Sequence, residues 1–185
     1  EPALALGKIE EALGISLTNK NTLDEARCYI LIGEINETAE EWKLALENYN
    51  TAYEKLKRKY SDTPEFKQTL RGLSNANLKL GNFSQSLQSL QETATLNLTP
   101  AEKAETQLKI SEVYFQQEDY PQALNTIDDI NLPPTDGAAL AAGVQNQKAK
   151  IYARQNNTKE ATEAIQSSQN VMRSNRGAMA PVQEQ

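Results

Sequence analysis

The stretch VYFQQEDYPQALNTI, Val113–Ile127, is the most informative about the fold, because its local pattern recurs along the chain. With Ala123 as the reference position, small residues recur in the same surroundings at Ala45, Ser86 and Ala161, at spacings of 41, 37 and 38 residues. Apolar or aromatic residues stand three before and four after most of these positions. Steps of three and four keep one face of an α-helix continuous. The pattern therefore predicts a helix at each copy.

A second column of small residues lies twelve positions before each reference residue, at Gly33, Ser74, Ser111 and Ala149. Small residues let two helices approach closely, while larger neighbours fill the groove between them. Each copy is therefore predicted to be a pair of helices joined by a short turn. The predicted helices span residues 23–38, 41–59, 65–80, 83–96, 100–117, 121–130, 138–155 and 158–172.

The turn within each pair has a column of its own, five residues before the reference position. Gly81 stands there in the second copy, and glycine tolerates the left-handed conformation in which many helices end. Asn156 in the last copy is the next best residue for it. Glu40 and Glu118 suit that conformation less well, so these two turns are expected to differ from the others.

A helix pair with small residues at these columns, and an aromatic residue before the second helix, resembles the tetratricopeptide repeat family. Val113–Ile127 is the best single match, and Gly33, Ala45, Tyr49 and Ala52 also stand at the family's spacing. The resemblance covers about residues 26–172. It implies an all-α fold, an α-solenoid of about four helix-turn-helix repeats that form a right-handed superhelix. Family repeats usually have about 34 residues, so these longer copies imply longer helices or loops.

The chain divides into three predicted segments. An N-terminal helix occupies residues 1–19, a repeat domain occupies 20–173, and a disordered tail without periodicity occupies 174–185. The four copies lie at about residues 23–60, 64–98, 100–133 and 138–172, with a break between the last two at Asn131–Gly137. Ala5, Ile9 and Ala12 repeat the pattern of a second helix. The N-terminal helix is therefore either the remnant of a truncated repeat or a capping helix.

Composition excludes several classes of function. The 19 basic and 25 acidic residues give a net charge of -6, and an acidic chain is repelled by phosphate backbones, so no nucleic-acid partner is predicted. No run of about 18 apolar residues is present, so no membrane insertion is predicted. The chain begins with Glu1 and is expected to be a processed or excised piece. The compartment stays open, since cytoplasm and periplasm are both compatible.

The chain lacks histidine, which removes the commonest general base and transition-metal ligand. Enzyme motifs are also absent, so no enzyme activity, no metal and no cofactor are predicted. The single cysteine, Cys28, excludes an intramolecular disulfide and is interpreted as a small, semi-buried helix residue.

The resemblance also implies a binding site, because first helices line the concave groove of such a superhelix. Carried over residue by residue, the predicted groove residues are Arg71, Asn75, Lys79, Lys109, Glu112, Phe115, Lys150 and Arg154. Their excess of positive charge predicts an acidic segment of an extended peptide as the ligand. Phe115 and Leu78 either anchor such a peptide or pack on the adjacent helix.

Arg71 and Asn75 resemble half of the carboxylate clamp found in chaperone-binding members of the family. Lys109 stands where that clamp has Asn, and Gln147 stands where it has a basic residue, so the full clamp is not present.

Three functions fit these features. The leading one is a non-enzymatic scaffold for protein–protein interaction that binds a partner peptide or helix in the groove, as a module of a larger protein or complex. The second is a self-assembling structural spacer, a homo-oligomer joined through exposed end helices such as the one that carries Ala5 and Ala12. The third is the sensor arm of a signalling protein whose output domain is absent.

Overall fold

The computed structural model describes residues 2–128, 130 and 137–178. Within this part of the chain there are nine α-helices and no strands. They are α1 (Pro2–Thr18), α2 (Thr22–Thr38), α3 (Trp42–Leu56), α4 (Pro64–Lys79), α5 (Phe83–Ala94), α6 (Pro100–Gln116), α7 (Tyr120–Asp128), α8 (Ala138–Arg154) and α9 (Thr158–Ala178). The all-α class and the eight predicted repeat helices are confirmed.

The chain forms two compact units, Glu1–Asn97 (unit 1) and Leu98–Gln185 (unit 2). In unit 1, α2 pairs with α3, α4 pairs with α5, and the first helices α2 and α4 lie side by side, while α1 packs on α2. In unit 2, α6 pairs with α7, α8 pairs with α9, and the first helices α6 and α8 lie side by side. Each unit therefore contains two helix-turn-helix repeats.

Each unit has its own apolar core. The core of unit 1 includes Ile30, Tyr49, Leu56, Phe66 and Leu70, all at most 2% exposed. The core of unit 2 is built on Ala123, Ile127, Val144 and Ile151. In unit 1 these residues come from α2, α3 and α4, and in unit 2 they come from α7 and α8, so each core joins one repeat to the first helix of the next.

The small residues at the two repeated columns hold each helix pair together. All eight of them are buried, as the spacing predicts. In the second repeat the Ser86 hydroxyl donates to the Ser74 carbonyl oxygen at 2.8 Å. In the third repeat the Ser111 hydroxyl donates to the Ala123 carbonyl oxygen at 2.7 Å. Such buried bonds require the two helix backbones to approach closely, which larger residues at these columns would prevent.

Each turn inside the four repeats contains one residue in the left-handed conformation. The expectation that the turns at Glu40 and Glu118 differ from the others is therefore wrong. Gly81 and Asn156 adopt positive φ as predicted, but so do Glu40 (φ 59°) and Glu118 (φ 62°). Lys20 (φ 52°), between α1 and α2, adds a fifth such turn, which was not predicted from the sequence. In each turn, the amide that follows the left-handed residue donates to a carbonyl oxygen five residues back, at 2.8 to 3.0 Å. This hydrogen bond satisfies a backbone carbonyl at the end of the first helix. Its stabilisation outweighs the preference of glutamate or lysine against a positive φ.

We expect Glu118→Gly to raise the free energy of unfolding of unit 2 by about 0.5–1 kcal/mol, because a left-handed residue with a Cβ is strained and glycine is not. Urea unfolding followed by far-UV circular dichroism measures the change. Glu105→Gly is the matched control, since Glu105 is exposed inside α6 and glycine should cost about 1 kcal/mol there. Destabilisation by both substitutions would contradict the assigned turn.

Further expectations concern the two ends of the chain and the break between the last two repeats. α9 continues to Ala178, so the predicted tail is helical from Ser174 to that residue, and residues 179–185 lie outside the described part. Of the predicted break at Asn131–Gly137, residues 131–136 also lie outside it. In α1, Ala5 and Ala12 are exposed and Ile9 is half-buried. Ile165 stands four residues after Ala161, in the column that is apolar in most copies, but it is 47% exposed because no described repeat packs beyond α9.

Candidate protein-binding faces

A buried tyrosine joins the first helices of unit 1. The ring of Tyr49, from α3, is 1% exposed. It lies against Gly33 on α2 and Gly72 on α4, where a Cβ on either glycine would come within 3.0 Å of the ring. The absence of these two side chains therefore creates the space that the ring fills between successive repeats.

The hydroxyl of Tyr49 is part of a polar network on the same face. It donates to Glu37 Oε2 at 2.8 Å, and the side-chain amide of Asn75 donates to Glu37 Oε1. Burial, and then the hydrogen bond to Glu37, raise the pKa of Tyr49 far above its usual range, so the hydroxyl stays protonated and donates. The structure thus places the predicted groove residue Asn75 against a carboxylate of the preceding repeat.

The other predicted residues of unit 1 are exposed cations. Arg71 and Lys79 lie on α4, and the Lys79 ammonium sits 5.6 Å from the centre of the Trp42 ring. Neither forms an ion pair with a carboxylate among the described residues. By contrast, the Arg27 guanidinium on α2 binds Glu65 at 2.7 Å and holds the pKa of that carboxyl below its usual value.

In unit 2, an aromatic residue lies where core and surface meet. Phe115 on α6 is half-buried and packs against the core of the unit. Its ring is tilted against Tyr120, with the ring centres 5.9 Å apart. The guanidinium of Arg154, from α8, lies 5.8 Å from the centre of the Phe115 ring. The arrangement brings two of the predicted site residues into direct contact.

The other predicted site residues of unit 2 lie on the same two first helices, α6 and α8. Lys150 lies on α8 one turn before Arg154, and both are exposed. Lys109 and Glu112 lie on α6 and are half-buried. We call the set Lys109, Glu112, Phe115, Lys150 and Arg154 the basic face. In the part of the chain that the structure covers, none of its three cations pairs with a carboxylate.

Two polar features of unit 2 were not predicted from the sequence. Lys148 on α8 forms an ion pair with Asp128 at the end of α7 at 2.5 Å. The opposite charges of Lys148 and Asp128 were the sequence feature from which this ion pair could have been predicted. Gln147, at the clamp column, is 5% exposed, and its side-chain nitrogen has no hydrogen-bond partner in the described structure. It is therefore not a surface residue able to replace a basic clamp residue.

Cys28, possible metal ligands and possible membrane-spanning helices complete the description of the candidate sites. Cys28 is buried on α2, and burial raises the pKa of its thiol despite a hydrogen bond with Ser16 of α1. Among the described residues, no group of three or more acidic, histidine or cysteine side chains could hold a metal ion. None of the described helices is long and apolar enough to cross a membrane.

Helix pairs with buried small columns, repeated left-handed turns and first helices packed side by side define a helical-repeat protein of the tetratricopeptide class. The family model described as "Tetratricopeptide repeat-like domain" matches residues 9–183, and the chain belongs to this family. No curated protein matches the sequence. Domains of this family typically mediate protein interactions and are generally non-catalytic.

Proposed function

We propose that the chain is a scaffold for protein–protein interaction whose basic face binds an acidic segment of a partner. The observation that carries the proposal is the grouping of Lys109, Lys150 and Arg154 on two adjacent first helices, where no described carboxylate pairs with them. Cations without such a partner are available to carboxylates of another chain, and such charge complementarity gives orientation and specificity. The segment is an extended peptide or a helix, and the chain is a module of a larger protein or complex.

Phe115 and Glu112 give the basic face features beyond its charge. Phe115 offers an apolar surface beside the Arg154 guanidinium, suited to an aromatic or aliphatic side chain of the partner. Glu112 repels a carboxylate placed next to it, so it restricts where the acidic residues of the partner lie. Together they favour a segment that combines acidic and apolar residues.

Unit 1 has exposed cations of its own, Arg71 and Lys79. Asn75 is less available there, because its amide already donates to Glu37, and a partner carboxylate would have to displace that side chain. The acidic segment is therefore assigned to the basic face of unit 2.

We expect Lys109→Glu combined with Lys150→Glu to weaken binding of an acidic peptide at least tenfold. Each reversal replaces an attraction with a repulsion, and about 1.4 kcal/mol already corresponds to tenfold. The probe is a fluorescein-labelled peptide of glutamate and phenylalanine, measured by fluorescence anisotropy at several salt concentrations. Because exposed charges are screened, the affinity of the unmodified protein should fall as salt rises.

The matched control is Lys8→Glu with Lys43→Glu, which changes the net charge equally at exposed positions on α1 and α3. It should leave the affinity nearly unchanged. Equal losses in both double variants would show that only net charge matters, and no loss in either would remove the basic face from the binding site.

A further inference from the structure

A polar pocket opens in unit 1, among residues that the proposed function does not use. Its walls come from α3, α4 and the start and body of α5, and its volume is about 370 Å³, within the range of small-ligand sites. Leu46, Leu73 and the Tyr53 ring give it an apolar part. Most of the other lining side chains are neutral and polar, and Glu92 is the charged one among them.

The Glu92 carboxylate is fixed at the wall of the pocket. The Tyr53 hydroxyl lies 3.1 Å from both of its oxygens and donates to them. The Tyr53 ring is itself stacked on Phe66, with the ring centres 5.6 Å apart. One hydroxyl hydrogen uses only part of the acceptor capacity of a carboxylate, which has about four lone-pair sites. The remaining sites are open to a donor that enters the pocket.

Neutral amides surround this carboxylate. Asn77 is 6% exposed, and its side-chain oxygen accepts from the Asn82 amide at 3.2 Å. Asn77 is one of the residues that line the pocket, and its side-chain nitrogen makes no hydrogen bond with the described residues. The side chains of Asn50 and Gln88 are exposed and equally unbonded within the described structure. Such amides both donate and accept, which suits the backbone of a peptide.

Neighbouring charges leave the pocket attractive to cations. Lys57 lies 5.4 Å from the centre of the Tyr53 ring, but it is paired with Glu54 at 2.5 Å, so these two charges offset each other. Glu92 therefore sets the local charge. The net charge of -6 also draws cations toward the protein over longer distances.

We propose that this pocket binds the side chain of an arginine or lysine presented by a segment of a partner protein. Glu92 binds the cationic head, the apolar wall of Leu46, Leu73 and Tyr53 packs against its methylene groups, and the amides bind the neighbouring peptide backbone. The pocket thus selects a basic segment, whereas the basic face selects an acidic one.

The test is a titration of the 15N-labelled protein with a blocked pentapeptide that has arginine at its centre, followed by NMR. We expect saturable shifts at Glu92, Gln88 and the side-chain amide of Asn77. The same peptide with citrulline, which keeps the shape and lacks the charge, should bind about tenfold more weakly. Glu92→Gln should also weaken binding about tenfold while keeping an acceptor for Tyr53, and Glu10→Gln on α1 should bind as the unmodified protein does.

Several results would overturn the assignment. One is the absence of saturable shifts in the pocket up to about 10 mM arginine peptide, which corresponds to negligible affinity. Another is equal binding of the arginine and citrulline peptides to the unmodified protein, a comparison that does not depend on any variant folding. A third is binding of spermidine as tight as that of the peptide, since the pocket would then take a free polyamine and not a protein segment.

Discussion

Tyr49→Ala is expected to lower the free energy of unfolding of unit 1 by about 4 kcal/mol, because removal of a buried aromatic side chain typically costs about 3–5 kcal/mol. The ring is 1% exposed and lies between Gly33 and Gly72, which have no side chains that could close the cavity. Glu37 also loses one of its two donors. Urea unfolding is followed by fluorescence of Trp42, the only tryptophan of the chain, which lies in unit 1.

Tyr49→Phe separates the two causes of this loss. It keeps the ring and removes only the hydroxyl, so it should cost about 1 kcal/mol, the usual net value of one hydrogen bond. If Tyr49→Ala cost no more than Tyr49→Phe, the ring would not be the joint between the first two repeats.

Gly72→Ala is expected to lower the free energy of unfolding of unit 1 by about 2 kcal/mol. Alanine is normally favoured over glycine inside a helix by about 0.5–1 kcal/mol, but here the new Cβ would collide with the Tyr49 ring, and overpacking costs about 1–3 kcal/mol. The same fluorescence experiment measures the change. Gly14→Ala on α1 is the matched control, because no atom lies within 4 Å of its Cβ position, and this substitution should stabilise.

Because the new Cβ at position 72 would collide with the Tyr49 ring, we also expect the effects of substitutions at Gly72 and Tyr49 on stability to be non-additive. In the double variant Gly72→Ala with Tyr49→Leu, the smaller side chain makes room for the methyl group, so the combined cost should be clearly less than the sum of the single costs. Additive costs would mean that Gly72→Ala acts through something other than the ring.

The sequence reveals the repeat and its two small columns because a close helix–helix contact limits side-chain size, and a recurring small residue is visible in the sequence. It does not reveal which polar groups meet. Asn75 was assigned to the predicted groove, but its contact with Glu37 depends on how α2 and α4 are rotated against each other, which no single column encodes. The Lys148–Asp128 pair was missed for the same reason.

The turns show a second limit of sequence reasoning. Glu40 and Glu118 are poor residues for a left-handed position, and local preference predicted different turns. The backbone bond across each turn and the close packing of the helix pair impose the same conformation on all four repeats. Packing between helices therefore outweighs an unfavourable residue at the end of one of them.

Two alternative functions remain predictions. Self-assembly would use apolar side chains such as Ile15 and Leu17, which are 57% and 51% exposed on α1. A sensor arm would use the same binding faces within a larger signalling protein. Both are compatible with a helical-repeat module, and neither requires a different fold.

An NMR titration with the unlabelled glutamate–phenylalanine peptide tests directly whether the basic face binds an acidic protein segment. We predict that the largest shift changes of the 15N-labelled protein fall on Lys109, Phe115, Lys150, Arg154 and their neighbours on α6 and α8. Largest changes on α1, α3 or α9, or no change at high peptide concentration, would show that the basic face is not the binding site.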